Sequence, residues 1–500
     1  MQNELIKIVK HAAVYGVGRV LGRAASFLLI PVYTHYLSTP DYGEMEILNL
    51  VSMIAAMLLA FGLPTTVMRF YYATDDSKEK KHTVATAMLF SLAVGGSVAA
   101  LVMIYATPIS RILLGTSQQG MLVRLMAATF FFAYTSDIAW VYLRAKQKSS
   151  LYVVLTQASF LGAMILNIYF VASRKMGVAG TFWGSAIASG TIGIILICLT
   201  LREVSFHFSP SKLKGMLRFG TPLIFIWVAA FVLNYSDRFF LQRFANLAAV
   251  GVYALAYKFG YILSLLVVQP FQLMWEPESY EIAKREGAER IFPRIFLLYA
   301  TILIIIAFSM SLFIREVFDV LVDARYYSAY RMVPLIAYAY VIQGAGLFFE
   351  AGLLIQKKSR AIAVVGLLST FACITLNFLL ISRWNAWGAC LATTISFVIL
   401  SLLTYFFSQR HYPLDCDFRG VMKVAAWSLV LLAAGWWLPV ESFVLRVAIK
   451  LALLIIFLAG IWKLGVLNAE ETASIKGLIS ASLQKIGWGK SVSNVSGELG

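Results

Sequence analysis

Fourteen apolar segments, each long enough to cross a bilayer, run almost end to end through this 500-residue chain. A spanning helix needs about 20 mostly apolar residues. Only helices and closed barrels satisfy their own backbone polar groups in hydrocarbon. The segments lie near 11–37, 42–70, 83–107, 120–143, 151–172, 178–201, 216–241, 248–274, 291–314, 329–355, 361–382, 388–408, 421–438 and 443–464. Their connections are short, leaving no room for a soluble domain. The expected fold class is therefore all-α integral membrane, with about 14 transmembrane helices. Composition agrees: 60% of residues are hydrophobic and 13% charged, against roughly 45–50% and about 25% in soluble domains.

The charges orient the chain. A net charge of +17 would suggest nucleic acid in a soluble protein. In a membrane protein it is accounted for by basic loops held on the cytoplasmic side, so the bilayer is the expected partner and nucleic acid is not. Lys and Arg concentrate in alternate loops, for example Lys146 and Lys148, Lys284 and Arg285, Lys357 and Lys358. The opposite loops carry fewer, among them Arg174 and Arg383. An even number of spans then places both termini in the cytoplasm. The opening MQNELIKIVK has no apolar core followed by a cleavage site, so no removable signal peptide is expected. Ile475, Leu478, Ile479 and Leu483 recur at helical spacing, suggesting a short helix lying on the inner leaflet before a disordered tail. The four Cys and five His are scattered, and neither a metal site nor a cofactor is expected.

A long-period repeat divides the chain. Lys146-Gln147-Lys148-Ser149 recurs as Gln356-Lys357-Lys358-Ser359, and Leu166-Asn167 as Leu376-Asn377. Gly180 pairs with Gly388, and Tyr42-Gly43 lines up loosely with Val250-Gly251. Residues 1–205 and 206–410 thus read as two six-helix lobes, with 411–465 as two further helices and 466–500 as a cytoplasmic tail. Six spans per lobe is even, so the repeat is parallel, about an axis along the membrane normal. A cleft between two such lobes is where alternating access needs a site.

Charge inside a bilayer is costly and usually functional. Arg19 and Arg23 lie one turn apart within the first span, with no acid in that helix placed to neutralise them. Lys258 lies about ten residues into the eighth segment. Asp237-Arg238 come late in the seventh, and Asp137 and Glu350 toward the inner ends of the fourth and tenth. Bland readings exist for each: snorkelling of Arg19 and Arg23, a local ion pair for Asp237-Arg238, and pairing of Lys258 with Asp137 or Glu350. The functional reading is a positively charged cavity that binds an anion, guanidinium being well suited to phosphate oxygens. Substrate-binding candidates are Arg19, Arg23, Lys258 and Arg238, and ion-coupling candidates are Asp237, Glu350 and Asp137. Asn49, Gln242, Gln269 and Gln343 could meet sugar hydroxyls, and Pro31, Pro64, Pro222, Pro270 and Pro334 are expected to interrupt spans.

The opening YGVGRVLGRAASFLLIPVYTHYLSTPDYGEMEIL, especially Leu37 to Gly43, resembles the start of polysaccharide transporter family proteins. These are O-antigen-type flippases of the multidrug/oligosaccharidyl-lipid/polysaccharide exporter superfamily. NYSDRFFLQRFANLAAVGVYALAYKF is similar to that family's seventh-to-eighth helix segment. The resemblance implies a fourteen-helix, two-lobed flippase of undecaprenyl-diphosphate-linked oligosaccharide in the cell inner membrane, with no enzymatic step. It also implies a polysaccharide polymerase or glycosyltransferases as functional partners. By the same resemblance, Arg19, Arg23 and Lys258 would line a cationic cavity for the diphosphate. The competing readings are a cation-coupled small-molecule or multidrug exporter of the same superfamily and, less compatible with the short loops, a membrane enzyme.

Overall fold

The computed structural model describes residues 27–437 and 440–465. Arg19, Arg23 and the amphipathic segment around 475–486 therefore lie outside the described residues. Among the described residues there is no strand, and the chain is an all-α, multi-pass membrane protein. Residues 27–36 are helical (α1). There follow α2 (Thr39–Leu59), α3 (Leu63–Tyr72), α4 (Ser77–Ile104), α5 (Ala106–Leu114), α6 (Gly120–Ala145), α7 (Ser149–Ile168) and α8 (Gly177–Val204). Next come α9 (Pro210–Phe244), α10 (Leu247–Gly260), α11 (Gln269–Ile282), α12 (Ala288–Leu321) and α13 (Val333–Ile355). The last are α14 (Ser359–Leu376), α15 (Ser382–His411), α16 (Phe418–Trp436) and α17 (Phe443–Lys463).

Twelve stretches are long and apolar enough to cross a membrane. One of them, Ser359–His411, has 53 residues, about 80 Å if straight at 1.5 Å per residue. No bilayer core of about 30 Å accommodates that length. The backbone reverses at Asn385 (φ 48°, ψ −126°), and α14 packs back on α15. Two of the sequence segments share this one stretch.

Local sequence explains several element ends. Ser38 and Asp41 form a reciprocal capping box at the start of α2, with Asp41 N–H donating to Ser38 Oγ at 3.3 Å and Ser38 N–H to Asp41 Oδ2 at 2.9 Å. Pro64, Pro270 and Pro334 sit in the first turns of α3, α11 and α13. There the missing N–H costs little, so these prolines start helices rather than kink them. Pro222 lies inside α9. Gln147 and Lys357, at matching places in the KQKS and QKKS loops, both have φ of 55°. Asn167 and Asn377 precede or open π-helical turns, Tyr169–Ser173 and Asn377–Ile381. Each Asn ties its turn to another helix: Asn167 Nδ2 donates to Tyr33 Oη, and Asn377 Nδ2 to Ser236 Oγ, both at 3.0 Å.

The helices of the first half pack chiefly as α4, α6, α7 and α8, and those of the second as α9, α10 and α12 to α15. Between them α2 lies across α10 and α9. The α2–α10 crossing is set by Gly43 and Gly251: a Cβ on Gly43 would stand 2.0 Å from Leu247 O, and one on Gly251 2.1 Å from Thr39 O. Backbones meet there because neither residue has a side chain.

The last two helices attach to the second half through α12. Lys450 Nζ meets Glu316 at 2.9 and 2.7 Å, and Arg446 meets Glu316 at 3.1 Å and Asp319 at 2.5 Å. Two cations and two carboxylates from α17 and α12 are thereby neutralised together.

Candidate functional site at the α2, α9 and α10 crossing

Tyr42 and Glu46 lie one turn apart on α2, facing α10. Lys258 Nζ donates to Tyr42 Oη at 3.0 Å, and its charge is felt by Glu46 and by Tyr33 of α1. Its acidic neighbour is Glu46, rather than Asp137 or Glu350. Arg238 is 1% exposed. Its Nη1 donates to Asp237 Oδ1 at 2.6 Å and to Asn234 O at 2.7 Å, while Nε faces Glu46 Oε1 at 3.9 Å, too long for a hydrogen bond. The guanidinium lies 3.8 Å from the Tyr257 ring centroid, with the Tyr253 and Tyr235 rings at 5.1 and 5.5 Å. The far oxygen of Asp237 accepts from Tyr253 and, at 3.2 Å, from Thr393.

The result is a buried quartet, Glu46 and Asp237 against Arg238 and Lys258, with compensating formal charges. Sequence reasoning picked three of the four. It missed Glu46, which sits near enough to the helix start to read as an interfacial acid. Its spacing from Tyr42, one turn along the face that meets α10, was the available signal.

A cavity of about 350 Å³ adjoins this cluster. Its walls come from α2, α9, α10, α11 and α13, and include Asn234, Gln269, Gln272 and Gln343 together with Trp227 and Tyr235. Amides and aromatic faces suit a hydroxyl-rich, partly apolar ring. Asn234 and Tyr235 are also the residues that touch Arg238, so the cavity and the charge cluster share a wall. Gln242 instead donates to Leu113 O, and Asn49 is exposed.

The remaining candidates lie apart from the quartet. Asp137 lines a cavity of about 580 Å³ between α6, α7 and α8, which also holds Arg144 and the Thr129, Thr156, Ser185 and Ser189 hydroxyls. Glu350 lines a smaller cavity of about 120 Å³ between α13, α14 and α15.

A protein-family profile described as "Polysaccharide biosynthesis protein" matches residues 8–282, more than half of the chain. The sequence matches none of the curated proteins. Among solved structures, "Lipid II flippase MurJ, inward closed conformation" is similar with TM-score 0.71 and 13% identity, over 91% of this chain and 99% of that one. A multidrug resistance MATE family transporter of the MOP superfamily, inward-facing, is similar with TM-score 0.62 and 13% identity, over 78% and 97%. The Vibrio cholerae MATE transporter VcmN, in its bent form, follows at TM-score 0.54 and 14% identity, over 81% and 96%. Identities this low carry the fold alone: the chain has the architecture of these transporters.

Proposed function

The chain belongs to the polysaccharide biosynthesis protein family, and from that premise we propose that it is a flippase for polyprenyl-diphosphate-linked oligosaccharide. The carrier is of the undecaprenyl type, the membrane is the cell inner membrane with both termini cytoplasmic, and the product feeds cell-surface polysaccharide such as O-antigen. Glycosyltransferases would load the carrier and a polymerase would consume the flipped product. The two lobes, 1–205 and 206–410, rock against each other, with 411–465 riding on the second and 466–500 forming the cytoplasmic tail.

One observation carries this reading: a cavity walled by amides and aromatic rings shares side chains with a basic cluster inside the membrane span. The saccharide occupies the cavity and the diphosphate sits at its charged wall. Lys258 is the group in the quartet best placed to exchange its neutral partner, Tyr42, for a phosphate oxygen. Arg238, already enclosed by Asp237, Asn234 and three tyrosine rings, positions that wall. Arg19 and Arg23 supply the positive charge that the quartet, being balanced, lacks. The likeness to MATE transporters favours a second reading, cation-coupled efflux of small molecules.

The test is leaflet exchange of a fluorescent polyprenyl-diphosphate saccharide in vesicles containing the full chain. Wild-type protein exchanges it, and Lys258→Ala slows exchange by about tenfold or more, a loss of about 1.4 kcal/mol in the transition state. Unchanged exchange in Lys258→Ala overturns the role of the quartet. Efflux of cationic dyes without any exchange of the polyprenyl substrate would establish the second reading instead.

A further inference from the structure

The three membrane-embedded carboxylates outside the quartet's Glu46 differ in how they are neutralised. Asp237 has Arg238, Tyr253 and Thr393 around it. Asp137 shares its hydroxyl-lined cavity with Arg144, whose charge it feels. Glu350 has neither: among the described residues its carboxylate makes no hydrogen bond or ion pair, and its charged neighbour is another acid, Glu276 of α11.

The two outlying cavities occupy matching places in the repeat. Tyr152 and Thr156 line the first; Ile362 and Gly366, each 210 residues later, line the second. The same offset carries Trp140 of the first cavity onto Glu350 of the second. The first half thus encloses a carboxylate with its own counter-charge, and the second half encloses one without. Around Glu350, α14 contributes Ile362, Val365 and Gly366, α15 contributes Leu400 and Thr404, and neither α10 nor α12 brings a charged residue to the lining. Thr404 spends its hydroxyl hydrogen on Leu400 O at 2.7 Å. An unpaired carboxylate in such surroundings must acquire a counter-charge or a proton. The oxygen shell that a metal cation prefers is not assembled there, so a proton is the fitting ligand.

Glu350 is also connected to the transport cavity. Gln343 and Leu347 line both it and the 120 Å³ cavity, along one face of α13. We propose that Glu350 is a proton-binding site whose loading and release, relayed by Gln343 to the central cavity, couples a transmembrane proton gradient to alternating access. Empty of its proton, the carboxylate repels Glu276 and disfavours the packing of α13 on α11, α14 and α15; loaded, it is neutral and those helices close. The coupling half of this proposal rests on the flippase reading above, whereas the proton site itself does not.

Two measurements on the full chain in lipid vesicles test it. Infrared spectroscopy reports the carbonyl stretch of a protonated carboxylic acid. Wild-type protein shows a pH-dependent band that disappears in Glu350→Gln and persists in Asp137→Asn and Gln343→Leu. A band unchanged by Glu350→Gln overturns the site, whatever the transport result. Exchange of a polyprenyl-diphosphate saccharide is then followed with and without a proton gradient. The gradient accelerates wild-type exchange, and this response is lost in Glu350→Gln and Gln343→Leu. A wild type indifferent to the gradient, or a Glu350→Gln variant that still responds, overturns the coupling. Protein that moves no polyprenyl substrate at all sinks the flippase reading and the coupling with it, while the infrared band still decides whether Glu350 holds a proton.

Discussion

Arg238 shows how a guanidinium survives at 1% exposure. Asp237 supplies the opposite charge, Asn234 a carbonyl, and Tyr257 a ring face 3.8 Å away. Removing one member of a buried ion pair typically costs about 3–5 kcal/mol, because its partner is left charged and unpaired. Arg238→Met should therefore lower the thermal stability of detergent-purified protein markedly. The double variant Asp237→Asn with Arg238→Met should recover part of that loss, since no orphan charge remains. Additive losses in the double variant would mean the two residues do not act as a pair. Glu46 works in the opposite sense. Its carboxylate tempers Lys258, so Glu46→Gln should tighten binding of inorganic pyrophosphate, measured by calorimetry, while Lys258→Ala weakens it.

At the scale of elements, close backbone approach and buried charge hold helices together in different ways. The α2–α10 crossing depends on the missing side chains of Gly43 and Gly251. A Cβ only 2.0 or 2.1 Å from a carbonyl oxygen forces the helices apart, and overpacking of this kind costs about 1–3 kcal/mol or more. Gly251→Leu should reduce the yield of folded protein well beyond Gly115→Ala, where a Cβ would meet nothing within 4 Å. The α12–α17 contact depends on Glu316, which serves Lys450 and Arg446 together. Glu316→Gln should release α17, read as faster proteolysis between α16 and α17. A third device joins the outer loop to α1: Arg325 Nη2 donates to Thr34 O and His35 O at 3.1 and 2.7 Å, and its Nε bonds Asp323 at 2.8 Å. That hydrogen bond from Arg325 holds the Asp323 carboxyl below the usual carboxylate range. A depressed folded value means the contribution is present above the unfolded carboxylate value and lost as pH falls through the lowered one. Hydrogen exchange of residues 323–331 should thus accelerate in acid, and in Arg325→Gln already at neutral pH.

For the molecule as a whole, the arrangement places the KQKS and QKKS loops at equivalent turns, each with its central residue at φ 55°. Single cysteines at Gln147 and Lys357 should label from one side of the membrane, and cysteines at Arg174 and Arg383 from the other. Labelling of Gln147 and Lys357 from opposite sides would undo the parallel repeat and with it the rocking of two lobes.

Much of this architecture was legible beforehand. Apolar runs of spanning length have few alternatives in a bilayer, so the described spans from Thr39 to Lys463 follow from one-dimensional hydropathy. The neighbours Asp237 and Arg238 could be anticipated as partners from adjacency alone, and Gln269 and Gln343 as cavity-lining. What could not be read was which residues from distant helices meet. Glu46 reaches Lys258 and Arg238 only because Gly43 and Gly251 let α2 and α10 touch. Likewise Glu350 is left unpaired only because α14 and α15 bring apolar side chains where α6 holds Arg144. Sequence decides the cost of placing each group in hydrocarbon, a property of the residue and its depth. Tertiary structure alone decides how that cost is met, since neutralisation over a few ångströms depends on neighbours some 200 residues away in the chain.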